Sequence, residues 1–440
     1  MSHSTNALLG VDIGTTNISA VVVDCDKQEI VETYTLANAS KLDSEKDFFE
    51  YDAEWIKDKI IEIIDDCLEK YPNIKGIGLT GQMHGFVYLS ADGQPVSPLY
   101  NWQDGRGNRL ISESKTYCQE IYERTGYKCN SGYAFTTMFY NRINQIEPEE
   151  AMSFCSIMDY AVMELTGRKT PLIHMSNAAA FGLCDIENNC FDEEALNKLN
   201  LKNIVLPEIA KETAIAGYYK NIPVTVAIGD NQASFFGSVK DKTNTALVNI
   251  GTGSQVSVAV NEYRETTCDL EIRPYLFGDY LVSGSALCGG KAYAILENFF
   301  SEYARALIGE EHSQYELMNK MAEEAEKSGS PLEVSTLFAG TRNEPEKRGA
   351  IYNIDDKNFT PGNLILGVLY GMAKELKVFF DNIGQQNITQ IVAAGNAVKM
   401  NPVLQRILGK VFDSNITLTE NNEEAAYGSA LFAGISCSHK

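Results

Sequence analysis

The sequence predicts an α/β protein built from two similar domains with a cleft between them. At 440 residues the chain is longer than one hydrophobic core usually supports. A strand–turn–strand segment occurs twice, as DIGTTNISAVVV from Asp12 and as NIGTGSQVSVAV from Asn249. The strand at 74–79 follows a helix and ends in a polar loop flanked by glycine, which is typical of α/β units. We therefore expect an internal duplication, with one domain over residues 1–238 and a second over 239–440.

The first hairpin, Leu8 to Asp24, has a turn suited to phosphate. Two apolar β-branched runs flank a turn of glycine, threonine and asparagine at 14–17, and Asp12 stands just before it. Backbone amides and hydroxyls suit phosphate oxygens, and a carboxylate suits the accompanying cation. A buried hairpin that merely contains Gly and Thr is the alternative. The second copy, with Gly251 and Thr252 in its turn, favours phosphate binding.

Composition narrows the class of partner. Net charge is −22, from 59 acidic and 37 basic residues, so nucleic acid and anionic membranes are not expected partners. The 10 cysteines form no CxxC pair, which indicates a reducing compartment, and we expect a cytoplasmic location. The N-terminus lacks a secretory signal pattern, and no apolar run reaches the roughly 18 residues of a membrane span.

Three further positions indicate ligand binding, and each of them also has a purely structural explanation. His84 follows the strand at 74–79, where it either hydrogen-bonds within a turn or binds a ligand. Trp102 either packs in the core or lies against the C–H face of a sugar. Asp230 stands between a strand at 224–228 and a helix, so it is either an N-cap or a functional carboxylate.

Two common phosphoryl-transfer motifs are missing. The chain has no GxxxxGK[ST] sequence and no His-Arg-Asp kinase loop. Neither P-loop nor protein-kinase chemistry is therefore expected.

The order of several motifs resembles a known family over essentially the whole chain. DIGTT, GQMHG, WQDGR, GDNQAS, NIGTGS, CGG and AAGNAVKMNPVLQ follow one another as in the FGGY carbohydrate kinases. The resemblance implies two actin-like (ribonuclease H-type) domains with a cleft between them, which use ATP and Mg²⁺ to phosphorylate a sugar or polyol. GQMHG is similar to the xylulokinases, whereas WQDGR, SGYAFTT, SNAAAFG and GTRNEPEKRG are more similar to the sedoheptulokinases.

The resemblance also implies roles for individual residues. Asp230 would be the catalytic base, and Asp12 would hold Mg²⁺ directly or through water. The positions that match sugar contacts are Gln82, Met83, His84, Trp102, Tyr133 and Asn231. Those that match phosphate turns or the nucleotide side are Thr15, Thr16, Asn17, Gly251, Thr252, Gly289, Gly290, Gly395 and Asn396. The first domain would thus bind the sugar and the second the nucleotide.

The expected activity is ATP-dependent phosphorylation of a ketose at its terminal primary hydroxyl, as in a sedoheptulokinase. A xylulokinase is the nearest alternative. An actin-like chaperone or a regulatory sugar-binding ATPase would share the fold. GQMHG and Trp102 argue against the chaperone, and the presence of both Asp12 and Asp230 argues against the regulator. The expected partners are a small sugar and ATP, and a homodimer is left open.

Overall fold

The computed structural model describes residues 5–266, 270–309, 312–328, 331–341, 344, 346–384 and 387–438. Arg342, Asn343 and Pro345 of the GTRNEPEKRG segment lie outside the described residues. The chain forms two compact units. The first comprises residues 1–237, 274–278 and 423–440, and the second comprises residues 238–273 and 279–422.

The first half of the chain supplies the strands and helices of the first unit. Its strands are β1 (Ala7–Ile13), β2 (Asn17–Asp24), β3 (Ile30–Ala37), β4 (Glu50–Tyr51), β5 (Ile74–Gly81), β6 (Val87–Leu89), β7 (Leu99–Tyr100), β8 (Leu110–Ser112), β9 (Lys115–Thr116), β10 (Ser153–Cys155), β11 (Leu172–Ile173), β12 (Cys184–Asp185), β13 (Cys190–Phe191), β14 (Glu208–Ile209), β15 (Ile215–Tyr219), β16 (Ile222–Thr225) and β17 (Ile228–Gly229). Its helices are α1 (Ala53–Lys70), α2 (Tyr117–Thr125), α3 (Ala134–Ile143), α4 (Ile157–Thr166), α5 (Met175–Ala180), α6 (Glu193–Lys198) and α7 (Asp230–Ser238).

The second half supplies the elements of the second unit and one helix of the first. The strands are β18 (Thr245–Ile250), β19 (Ser254–Val260), β20 (Leu270–Pro274), β21 (Tyr280–Ala286), β22 (Glu333–Ser335), β23 (Ala350–Tyr352), β24 (Gln390–Ala394) and β25 (Asn415–Leu418). The helices are α8 (Gly290–Ile308), α9 (Tyr315–Ser328), α10 (Pro361–Ile383), α11 (Asn396–Lys399), α12 (Pro402–Phe412) and α13 (Glu424–Ser438).

The two units repeat one sheet topology, which confirms the predicted duplication. In the first unit, β1 pairs antiparallel with β2 and parallel with β5, within the order β15-β16-β5-β1-β2-β3. In the second unit, β18 pairs antiparallel with β19 and parallel with β24, within the order β20-β21-β19-β18-β24-β25. The two DIGTT-type segments therefore occupy the same position in equivalent sheets.

The last helix packs on the first unit, which differs from the predicted domain limits. Residues 423–440 were expected in the second domain, but α13 lies against β1 and β5. The contact is close because glycines face it: a Cβ at Gly10 would lie 1.9 Å from the Ala426 carbonyl oxygen, and one at Gly78 would lie 2.0 Å from that of Ser429. The sequence could not predict which unit α13 packs on, because its small residues could pack closely against either of them.

Polar side chains cap the N-termini of α1 and α12. Asp52 accepts a hydrogen bond from the Trp55 amide at 3.0 Å and begins α1. Asn401 accepts one from the Leu404 amide at 3.0 Å and begins α12, with Pro402 in the first turn. Among the described residues the cysteines are free thiols, and no helix has the length and apolarity needed to cross a membrane.

We expect Gly78→Ala to destabilise the protein by at least about 2 kcal/mol, because the new methyl group would overlap the α13 backbone. Gly409→Ala on α12 is the matched control, since its methyl group would meet only Ile416 and Ser414, at ordinary contact distances of 3.5 Å or more. It should be neutral or slightly stabilising, because alanine favours helix over glycine. Thermal unfolding of both variants checks this, and equal melting temperatures would contradict it.

Candidate active site

Three parallel strands end side by side in the first unit and bring two carboxylates to one edge of the sheet. Asp12 on β1 pairs with Thr80 on β5, and Ile228 on β17 pairs with Thr80 from the other side. Asp230 follows β17 directly and is the first residue of α7. Asp12 and Asp230 therefore lie at the carboxyl ends of the two strands that flank β5, where α/β proteins bind ligands.

Asp12 is in an unfavourable place for a negative charge. Burial, and then the carboxylates of Asp230 and Glu423, raise the pKa of Asp12 from 3.8 to about 7. Among the described residues, its buried Oδ1 has no hydrogen-bond partner. Glu423, just before α13, was not singled out from the sequence, because the fold alone brings it to Asp12. A buried, unpartnered carboxylate oxygen among other carboxylates is a suitable ligand for a cation.

The donor set fits Mg²⁺ better than a metal that needs a protein cage. Within the described ranges, no three His, Cys, Asp or Glu side chains are arranged to hold a metal. Mg²⁺ usually keeps several waters and takes one or two carboxylates together with substrate phosphates. Asp12 could serve as such a single protein ligand.

The loop after β5 carries predicted sugar contacts and places them beside Asp230. The Gln82 side chain is 3% exposed, and its Oε1 accepts a hydrogen bond from Asn101 Nδ2. Its Nε2 is buried and has no hydrogen-bond partner within the described part of the chain. Met83 is buried, with its sulfur 3.7 Å from Asn231 Nδ2, and Asn231 Nδ2 also donates to Asp230 Oδ1 at 3.0 Å.

His84 and Tyr133 form a stacked pair. Their rings are 4.3 Å apart between centroids and 7° from parallel. His84 has a φ of 73°, a left-handed conformation that aims its ring out of the strand direction. Its Nδ1 lies 2.8 Å from the Ala180 carbonyl oxygen, which can only accept, so Nδ1 carries the hydrogen. The orientation of His84 is thus fixed on both sides.

Trp102 is a surface residue rather than a core residue. It is 46% exposed, and its Nε1 donates to Thr15 Oγ1 at 3.0 Å. A Cβ at Gly132, which has a φ of 84°, would lie 1.9 Å from the Trp102 carbonyl oxygen. The predicted sugar-side residue Trp102 therefore contacts the hairpin turn and also lies beside the loop that carries Tyr133.

The remaining turn residues of the first hairpin are open to solvent. Thr16 and Asn17 are exposed. The turn itself is held from behind, because Asn38 Nδ2 donates to the Gly14 carbonyl oxygen at 2.9 Å.

The second unit contains a cavity of about 590 Å³ whose walls are mostly backbone and small side chains. Its lining residues are Gly251, Thr252, Gly290, Lys291, Ala294, Gly395, Asn396, Ala397 and Asn422. Five of the predicted nucleotide-side residues are among them. Gly289 is not; it packs against the turn after β18, where its Cβ would lie 2.2 Å from the Gly253 carbonyl oxygen.

The cavity wall is built around the start of a long helix. The Gly290 amide donates to the Gly251 carbonyl oxygen at 2.8 Å, which places the first turn of α8 beside the second hairpin turn. A helix N-terminus attracts anions such as phosphate. Gly395 has a φ of 91°, and a Cβ there would lie 2.4 Å from the Ile250 carbonyl oxygen, so only glycine fits.

Lys291 and Asn422 line the same cavity but were not predicted. Lys291 adds a positive charge in the first turn of α8. Asn422 is held by Lys399 Nζ, which lies 3.0 Å from its Oδ1. The position of Lys291 directly after Gly-Gly is only a weak sequence signal for a binding role. Nothing local in the sequence marks Asn422.

Fold and site together define the class as a two-domain actin-like α/β kinase. The FGGY family of carbohydrate kinases matches by its N-terminal domain over residues 7–247 and by its C-terminal domain over residues 246–437. The chain therefore belongs to the FGGY family of carbohydrate kinases, whose members use ATP to phosphorylate a carbohydrate.

Individual relatives are distant but match over nearly their full length. The chain is 25% identical to a sedoheptulokinase of Mus musculus over 96% of each chain. It is 24% identical to a xylulose kinase of Staphylococcus xylosus, over 97% of this chain and 90% of that one. The ligand-bound structure of a xylulose kinase from Lactobacillus acidophilus superposes with a TM-score of 0.83 at 19% identity, over 99% of this chain and 90% of that one.

We expect Asp12→Asn to stabilise the metal-free protein at pH 8 and to leave its stability unchanged near pH 4. The pKa of Asp12 is raised in the folded state, so its ionisation costs folding free energy progressively between about pH 4 and pH 7. Above pH 7 the gain is at most about 4 kcal/mol.

Thermal unfolding in EDTA at the two pH values measures this gain. Asp43→Asn, which removes an exposed carboxylate, is the control and should show no comparable gain. An Asp12→Asn variant with the wild-type melting temperature at pH 8 would contradict the assigned environment of Asp12.

Proposed function

We propose that the protein phosphorylates a ketose at its terminal primary hydroxyl, as a sedoheptulokinase does, with ATP as donor. The observation that carries this proposal is the convergence of Asp12, Asp230 and the Gln82–His84 loop at one sheet edge of the first unit. Two of the relatives are a sedoheptulokinase and a xylulose kinase, which favours a 2-ketose of seven or five carbons as the substrate.

In this proposal Asp230 is the catalytic base. Its Oδ1 accepts hydrogen bonds from the backbone and side-chain amides of Asn231, at 2.6 and 3.0 Å. The sugar hydroxyl passes its proton to the Asp230 carboxylate as its oxygen bonds to the γ-phosphorus of ATP, while the bond from that phosphorus to the β–γ bridging oxygen breaks and ADP leaves. A carboxylate is a weak base for an alcohol, but a loose transition state needs the proton removed only late.

The sugar would be held by groups with complementary chemistry. The buried Nε2 of Gln82 offers a donor for a hydroxyl. The stacked His84–Tyr133 pair and the exposed indole of Trp102 offer ring faces and polar edges. Asn231 joins the sugar side to Asp230, because its amide group contacts both Met83 and that carboxylate.

The nucleotide and metal would be held by backbone and by one carboxylate. The cavity of the second unit would take ATP, with phosphates at the turn of Gly251 and Thr252 and at the N-terminus of α8, where Lys291 adds charge. Thr15, Thr16 and Asn17 would contribute the phosphate turn of the first unit. Asp12 would bind Mg²⁺, which when bound neutralises charge on the phosphate oxygens.

An assay of sugar-dependent turnover also tests several other possible functions. A xylulokinase is the second candidate, supported by the GQMHG loop and the xylulose kinase relative. An actin-like chaperone or a regulatory sugar-binding ATPase would not show turnover that depends on sugar. A cytoplasmic location is proposed from the free cysteines, while partnership with nucleic acid or membrane is not proposed for so acidic a chain.

We expect ADP release to require an added ketose and to be fastest with sedoheptulose. The measurement is coupled ADP detection with sedoheptulose, xylulose, ribulose, fructose and glycerol as acceptors. A ranking led by xylulose would shift the assignment to xylulokinase. No stimulation by any acceptor would overturn the proposed function.

We expect Asp230→Asn to lower kcat by about 10²–10⁴-fold while sugar affinity changes little, because the amide keeps the shape of the carboxylate but accepts no proton. Steady-state kinetics and calorimetric sugar binding measure the two effects separately. Asp92→Asn, which alters an 83% exposed side chain, is the control. Near wild-type turnover in Asp230→Asn would remove Asp230 as the base.

A further inference from the structure

The three residues before Asp230 are each hydrogen-bonded by a buried side chain. Asn177 Nδ2 donates to the Ala227 carbonyl oxygen at 3.0 Å, and Thr80 Oγ1 donates to that of Ile228 at 2.8 Å. The Gly229 amide donates to Ser176 Oγ at 3.0 Å. All three side chains are at most 1% exposed. Because β17 is only two residues long, these bonds supplement a short ladder.

The Asn177 side chain is itself oriented by a second layer. Its Nδ2 lies 3.2 and 3.3 Å from the two carboxylate oxygens of Asp159, on α4. Ser156 Oγ, the N-cap of the same helix, donates to Asp159 Oδ2 at 2.6 Å. The donor that reaches the Ala227 carbonyl is thus fixed by a fully buried polar network.

The Ser176 side chain is oriented by a chain of contacts through His174. The Nδ1 of His174 accepts the Ser176 backbone amide at 3.1 Å, so it also accepts the Ser176 hydroxyl at 2.8 Å. The hydrogen of this neutral ring is then on Nε2, which lies 3.5 Å from Glu212 Oε2. Glu212 also accepts the amides of Phe277 and Gly278, at 2.6 and 3.2 Å.

The peptide that leads into Asp230 has little room to move in another direction. A Cβ at Gly229 would lie 2.6 Å from the sulfur of Met83 and 2.5 Å from Gln232 Oε1. Gln232 in turn donates to the Pro274 carbonyl oxygen at 2.7 Å. The backbone that aims the Asp230 carboxylate is therefore held on several sides.

We propose that Thr80, Ser176 and Asn177 are positioning residues for Asp230, acting by fixing the three peptide groups that precede it. The inference rests on the proposed role of Asp230 as base. A displacement of about 1 Å at a reacting group can cost about 10²-fold in rate. None of these side chains needs to touch the sugar.

The test is a pair of substitutions at Thr80. Thr80→Val keeps the shape and removes the hydroxyl donor, whereas Thr80→Ser keeps the hydroxyl. We expect Thr80→Val to lower kcat about 10–100-fold with little change in sugar KM. Thr80→Ser should keep most of the wild-type kcat. Thr225→Val is the matched control, because Thr225 is equally buried on β16 and its hydroxyl has no partner; it should behave as wild type.

A double variant separates positioning from general damage. If Thr80 acts through Asp230, adding Thr80→Val to Asp230→Asn should cause little further loss of residual turnover. Wild-type kcat in Thr80→Val, or equal losses in Thr80→Val and Thr80→Ser, would overturn the inference and leave the proposed function standing. Absence of sugar-dependent turnover in the wild-type protein would overturn both.

Discussion

The parallel register of β1, β5 and β17 is the constraint on which the site of the first unit depends. Thr80 pairs with Asp12 on one side and with Ile228 on the other, so the positions of both carboxylates are set by one strand. A shift of one residue in either pairing would turn a carboxylate to the opposite face of the sheet. The buried side chains around residues 227–229 protect this register where the ladder is shortest.

This arrangement is costly for stability and useful for chemistry. Among the described residues, Asp12 has a buried carboxylate oxygen without a hydrogen-bond partner and lies near Asp230 and Glu423, so its ionisation opposes folding above about pH 4. Such strained electrostatics are concentrated at functional sites, where a ligand or cation restores the balance. The rest of the first unit supplies the compensation through close packing, in which glycines let α13 lie directly on β1 and β5.

The second unit uses the same topology for a different kind of site. Its equivalent hairpin turn has no carboxylate: Asn249 stands where the first copy has Asp12. Instead the carbonyl oxygen of Gly251 in this turn accepts the amide of Gly290 at the start of α8, and both glycines line a cavity of about 590 Å³. Duplication therefore produced two similar frameworks, one with carboxylates at the strand ends and one with a helix terminus and a lysine.

Local periodicity and turn chemistry in the sequence predicted the duplicated α/β fold, the two hairpin turns and the strand-end position of Asp230. The tertiary structure, and no local pattern, places α13 in the first unit and Glu423 close to Asp12. It alone also showed that Thr80, Ser176 and Asn177 support the peptides before Asp230. These contacts join residues about 50 to 400 positions apart, and such pairings follow from packing, for which a single sequence holds no local signal.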